Sequence, residues 1–299
     1  MTSLQNLALS LLSFLLFLSL SIFASAFMLD KTLLNPDFVI SELNRLDMSL
    51  LAGDLFSIEA PPEAPYLAEV IDETVADLEP WMKEEISTAI YSGYDYLMGR
   101  TESLNLVIST EPVQNTLKEN LTEAILDSPP PELKGRPSTE IRQHADQAYQ
   151  ELVQDMPQTI EFTESSIPPD IMNTLEQVRS YLSYYRTVYY GLIGLMVLCA
   201  LGIFLISRNV KHTTRSIGTP ILVSGIIGYA SIFALGYFNV IEQMMGITGE
   251  IPAALQTWLP QFMDNLMAPM KTFSLALLIT GVVLIVISIV YRRRQPQPE

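Results

Sequence analysis

Four long apolar runs constrain this chain more than anything else in it. They cover residues 4–27, 188–207, 217–238 and 273–291, and none has an Asp, Glu, Lys, Arg or His in its central part. A helix rises 1.5 Å per residue, so each run is long enough to cross about 30 Å of hydrocarbon. The expected fold class is a mainly α membrane protein. It has four transmembrane helices and a mostly helical extracytoplasmic domain, with room for a two-stranded ribbon.

Basic residues set the expected orientation. Arg208, Lys211 and Arg215 lie in a short connection, 208–216, and Arg292, Arg293 and Arg294 follow the fourth run. Short loops rich in Lys and Arg stay in the cytoplasm. Four crossings then place both termini inside a plasma membrane and two segments outside. The expected organisation is a first membrane helix over 1–27, an acidic extracytoplasmic domain over 28–187, three membrane helices over 188–291 and a cytoplasmic tail over 292–299. Within the third part, 208–216 is the inner loop and 239–271 an outer amphipathic loop whose single basic residue is Lys271. Ala24-Ser25-Ala26 resembles a signal-peptidase site. The apolar stretch before it exceeds a usual signal core and a basic n-region is missing, so a retained helix is the expectation. Either outcome leaves 28–187 outside.

The outer domain is strongly acidic, with 29 Asp plus Glu against 10 Lys plus Arg over 28–187. Such a surface repels nucleic acid and anionic headgroups, so no nucleic-acid partner is expected. It keeps a solvated domain soluble, or meets cations or a basic partner. Cys199, in the second run, is the only cysteine. The outer domain therefore has no disulfide or thiolate metal site. About 160 residues bury a core without such staples. Asn120-Leu121-Thr122 matches a glycosylation acceptor, a short pattern that recurs by chance.

Periodicity predicts helices in the outer domain. Asn35-Pro36 starts one carrying Val39, Leu43, Leu46 and Leu50, before the break at Pro61-Pro62. Leu67, Val70, Ile71, Val75 and Leu78 mark a second. Pro80 is suited to open a third, with Ile86, Ile90, Gly93 and Leu97, which Gly99 stops. Val113, Leu117, Leu121 and Ile125 mark a fourth. Ile141, Ala145, Ala148 and Leu152 mark a fifth, with Ser138 as its cap. Leu104–Ile108 and 159–163 alternate with period two, as paired strands do.

At the membrane boundary, Tyr181, Tyr184, Tyr185, Tyr189 and Tyr190 suit an interfacial belt. Trp258 belongs to an amphipathic stretch that Pro252, Pro260 and Pro269 interrupt, which suits a helix at the interface. Met263, Met267 and Met270 share a helix face. Thioethers select Cu(I), but gap-filling is methionine's plainer role. In the third run Ser224, Gly228 and Ser231 line one face, a strip of small residues that lets another helix approach, with Leu222 on a different face. No ionisable group sits in mid-membrane, which argues against an ion-coupled carrier. Glu140 and His144 stand one helical turn apart but lack a third metal ligand fixed by spacing. There is no phosphate-cradling glycine loop or serine elbow. No cofactor, metal or catalytic residue is expected.

The layout, with Asn35-Pro36, Leu43 and Asp47 after the anchor and Tyr96-Leu97-x-Gly99 before the strand-like segment, resembles a group of uncharacterised prokaryotic four-helix membrane proteins. These have an N-terminal anchor, a cysteine-free extracytoplasmic helical domain and three C-terminal transmembrane helices. The resemblance implies no activity. The expected function is a non-enzymatic interaction, assembly or sensing module whose partners are the lipid bilayer and another membrane or envelope protein, or a second copy of itself. The alternatives are an envelope enzyme or lipid-handling protein with a site between outer domain and bilayer, and an accessory subunit of a transport complex.

Overall fold

The computed structural model describes residues 3–47, 66–207, 209–237 and 252–293. In chain order the elements are α1 (Ser3–Lys31), α2 (Pro36–Leu43), α3 (Tyr66–Leu97), β1 (Asn105–Ser109), α4 (Glu111–Asp127), α5 (Ser138–Val153), β2 (Thr159–Thr163), α6 (Pro169–Ser207), α7 (Val210–Tyr237) and α8 (Ala253–Arg293). The protein is mainly helical, and α1, α6, α7 and α8 are long and apolar enough to cross a membrane. Its contacts divide it into two compact units. One comprises Met1–Val39, Tyr181–Glu250 and Leu259–Glu299, the other Ile40–Ser180 with Ile251–Trp258.

The first unit is a helix bundle. Leu9, Leu16 and Leu20 of α1 pack with Cys199 and Ile203 of α6, and Ile217, Ile221 and Leu277 close around them. α1 and α7 run in the same direction, so that Ser13 meets Ser216. α6 runs the other way, with Leu12 against Gly202 and Phe23 against Tyr189. The α7–α8 pair is antiparallel, with Gly218 facing Leu284 and Gly225 facing Leu278. Lys211 and Ser288 therefore lie at one end of the bundle, joined by a 2.9 Å hydrogen bond from the Ser288 hydroxyl to the Lys211 carbonyl.

Pro220 inside α7 explains one of these contacts. Proline has no N–H, so the carbonyl four residues earlier, at Ser216, loses its helical donor. The Ser13 hydroxyl of α1 donates to that carbonyl at 3.0 Å. A neighbouring helix thus satisfies a backbone group that lipid would leave bare.

In the second unit α3, α4 and α5 bury Val70, Leu121, Ile125, Ile141, Ala145 and Tyr149 together. One polar contact lies among them: the Asn120 amide donates to Thr74 Oγ1 at 3.2 Å and Asp77 Oδ2 at 3.0 Å. Asn120 is buried and bonded in this way, and Leu121 beside it is fully buried. The acceptor-like tripeptide is therefore closed to modification in the folded chain. α3 ends as its sequence suggests. Gly99 takes φ +69°, Arg100 N–H donates to Asp95 O and Gly99 N–H to Tyr96 O, which is a Schellman cap. At the start of α2, Asn35 Oδ1 accepts the Asp37 N–H at 3.1 Å and Pro36 opens the helix.

β1 and β2 pair antiparallel, Leu106 opposite Phe162 and Ile108 opposite Ile160. The Thr110 hydroxyl, just before α4, donates to the Pro157 carbonyl and closes the ribbon's end. Arg179 of α6 stacks over Tyr96, 4.6 Å from the ring centre, and donates to Thr101 O at 3.0 Å.

Four local expectations change. Pro80 does not open a helix; α3 continues through it. Likewise Pro260 and Pro269 do not interrupt α8, so 253–271 is its first half rather than a separate loop. An interior proline costs about 3 kcal/mol, but packing outweighs local propensity. Around Pro260 that packing includes the Trp258 indole donating to Glu42 O at 2.8 Å, and Phe262 against Phe38. Ser138 is the first helical residue and makes no capping bond; Pro137 holds the cap position. Tyr149, not Leu152, completes the α5 stripe: the buried positions recur every four residues, and Leu152 is left exposed. Leu50 and the Pro61-Pro62 break lie outside the described residues, as do Met244, Met245, Arg208, Arg294 and the segment 239–251.

Candidate functional site

The seam between α7 and α8 is closely fitted at its glycines. A Cβ placed on Gly225 would lie 2.6 Å from Leu278 N, 2.9 Å from Leu278 Cα and 3.0 Å from Ser274 O. One on Gly281 would lie 2.6 Å from both Cα and N of Leu222, and one on Gly218 2.8 Å from Leu284 Cβ. Backbone therefore meets backbone on both sides, at a distance only glycine permits. Gly228 abuts the Ser274 hydroxyl.

Of the strip expected from spacing, Gly228 lies on this seam and Ser224 is buried, its hydroxyl without a partner among the described residues. Ser231 instead faces outward and donates to Ile227 O at 2.8 Å. Leu222, expected on another face, stands on the seam opposite Gly281. The signal that would have found this face is the set Gly218, Leu222, Gly225 and Gly228. Its spacings of four, three and three make one helical stripe.

The tyrosines divide into two groups. The Tyr185 hydroxyl donates to Ala26 O at 2.5 Å, and the Tyr189 ring lies 5.0 Å from Phe23. Phe273 adds a third side to that aromatic cluster, 5.6 Å from Phe23. Tyr181, Tyr184 and Tyr190 point away from the bundle and are exposed. Trp258 is half-buried within the second unit rather than standing free. Among the basic residues, Arg215 is exposed beside a groove between α1 and α7, and Lys211 is half-buried. Arg292 and Arg293 form the last residues of α8.

That groove measures about 550 Å³ and runs from Asn6 and His212 to Phe17 and Val223. The second unit has a depression of about 600 Å³ along α4, lined by Lys118, Glu119, Glu123 and Asp127 among others. Its lining comes from one helix face, so it offers no convergent set of groups around a substrate. Glu140 pairs with Arg136 at 2.9 Å, Asp146 pairs with Lys118 at 3.1 Å, and His144 is exposed. Among the described residues no three His, Cys, Asp or Glu side chains come together as a metal site. Met263, Met267 and Met270 are half-buried along α8. In the second unit, burial raises the Tyr94 phenol above its ordinary value, which favours its neutral form.

The ribbon of the second unit exposes large apolar side chains on both faces. Ile160 and Phe162 of β2 are 41% and 43% exposed, and Val107 on the other face is 51% exposed. Leu106 and Ile108, opposite Phe162 and Ile160, are half-buried.

No protein-family model, curated protein or solved structure matches this chain.

Proposed function

We propose that the protein is a multi-pass plasma-membrane protein, with both termini cytoplasmic and the acidic domain outside. It acts there as a non-enzymatic interaction or assembly module. The observation that carries this reading is the pair Ile160 and Phe162, exposed apolar side chains side by side on one face of the ribbon of a strongly acidic domain. A solvated acidic surface excludes most contacts, so apolar side chains standing out of it mark a site for a protein partner. The continuous helix through Ala24-Ser25-Ala26, with Ala24 buried and Ala26 O bonded to Tyr185, supports a retained first helix.

Two experiments test this. Single cysteines at Ser207, Glu132 or Gln295, in a Cys199→Ser background, are probed in intact cells with an impermeant thiol reagent. Labelling is expected at 132 and not at 295; the reverse pattern refutes the orientation. Separately, a photo-crosslinking residue at Phe162 should give a discrete adduct in membranes, whereas one at the exposed His144 should not. Equal adducts at both positions, or none at Phe162, would remove the ribbon as the contact.

A further inference from the structure

We propose that the groove between α1 and α7 holds one anionic phospholipid of the leaflet at the Lys211 end of the bundle. The groove is amphipathic along its length. Its polar end is formed by Asn6, Ser10, His212 and Arg215, its apolar end by Phe14, Phe17 and Val223. From His212 to Val223 the helix rises about 17 Å, close to the roughly 15 Å of hydrocarbon in one leaflet. A phosphate at Arg215 would thus leave an acyl chain running beside the two phenylalanines.

Charge selects the anionic class. Arg215 is exposed and makes no ion pair with a described residue. The chain has no Asp or Glu from residue 1 to 29 or from 177 to 241, so neither lining segment supplies a counter-ion. A guanidinium at the hydrocarbon boundary takes a phosphate through two parallel N–H bonds. Basic pockets between membrane helices bind lipid headgroups in this way. Asn6 and Ser10 add neutral groups for headgroup hydroxyls. Ser13 is already engaged with Ser216 O, so the bond across the floor of the groove keeps its walls together. Which leaflet this is rests on the orientation proposed above; the binding itself does not.

The full chain in mild detergent, stripped of lipid, is mixed with equal amounts of phosphatidylglycerol and phosphatidylcholine of identical chains and read by native mass spectrometry. One phosphatidylglycerol per chain should be retained in preference. Arg215→Gln should lower retention about fivefold, the equivalent of roughly 1 kcal/mol for one basic group at a membrane surface. Val223→Trp, which fills the apolar end, should lower it too. Lys211→Gln removes the same charge outside the groove and should retain lipid as wild type does. Shielding of Cys199 from a thiol dye confirms that each variant is folded. Equal retention of the two lipids overturns the proposal, as does an equal loss in Lys211→Gln. Displacement by excess glycerol phosphate would also overturn it, because the site would then recognise a free phosphate and not a lipid. Failure here leaves the labelling pattern of the previous section untouched, and the two readings fall separately.

Discussion

Gly225→Ala is the sharpest test of how the bundle is held together. The added Cβ would sit 2.9 Å from Leu278 Cα and 2.6 Å from Leu278 N. Carbon atoms pack at about 3.5–4.0 Å, so α7 and α8 must separate by roughly 0.6–1 Å at that level. The atoms in the way are backbone, so no rotamer change relieves the clash. Overpacking of this kind costs about 1–3 kcal/mol. Alanine's better helix propensity offsets up to about 1 kcal/mol of that. Gly194→Ala is the control: nothing lies within 4 Å of its Cβ, so only the propensity gain remains. Gly228→Ala should fall between them, since it meets the movable Ser274 hydroxyl. The single cysteine supplies the assay. Cys199 of α6 is 2% exposed and packed against α1, so a fluorogenic thiol dye reacts with it as the bundle opens on heating. At about 2–4 °C per kcal/mol, Gly225→Ala should melt several degrees below wild type and Gly194→Ala at or slightly above it. If both variants melt together, the α7–α8 seam is not close-packed and the reasoning fails.

Further outcomes follow from the same geometry. Ser13→Ala should cost about 0.6–2 kcal/mol, because Ser216 O then has neither a helical nor a side-chain donor; the Cys199 melt reads it, and an unchanged melt would mean that another donor reaches that carbonyl. Leu121→Ala removes a fully buried side chain and should cost about 2–5 kcal/mol. Asn120→Ala should cost about 1–3 kcal/mol by leaving the buried Thr74 hydroxyl without its donor, while the exposed Asp77 turns to water. Limited proteolysis of the full-length protein across a temperature series checks both, and wild-type resistance in either variant would contradict the assigned core. Reductant should leave that proteolysis pattern unaltered, since no cysteine lies in 28–187.

The four spans were legible because a bilayer imposes a length and a polarity that any run of residues either meets or does not. The Gly99 stop, the Asn35-Pro36 start and the alternation that became β1 and β2 were legible for a similar reason: each depends on a few adjacent residues. The stripes holding Val70, Leu121, Ile125, Ile141 and Ala145 were readable from helical period alone. What the sequence left open concerned which face meets what. Periodicity placed Ser224, Gly228 and Ser231 together, but it carries no information about the partner helix. Only the packing of α7 on α8 chose Gly218, Gly225 and Gly228 for the seam and turned Ser231 outward. The same holds for Tyr185 and Tyr189, drawn inward by α1 while Tyr181, Tyr184 and Tyr190 face out. Pro80, Pro260 and Pro269 read locally as breaks, yet each lies within a continuous helix, because tertiary contacts exceed what one missing hydrogen bond costs. Ser13 and Ser216 are 203 residues apart, and nothing in either neighbourhood announces the bond; it exists because folding sets a hydroxyl beside the carbonyl that Pro220 left without a donor.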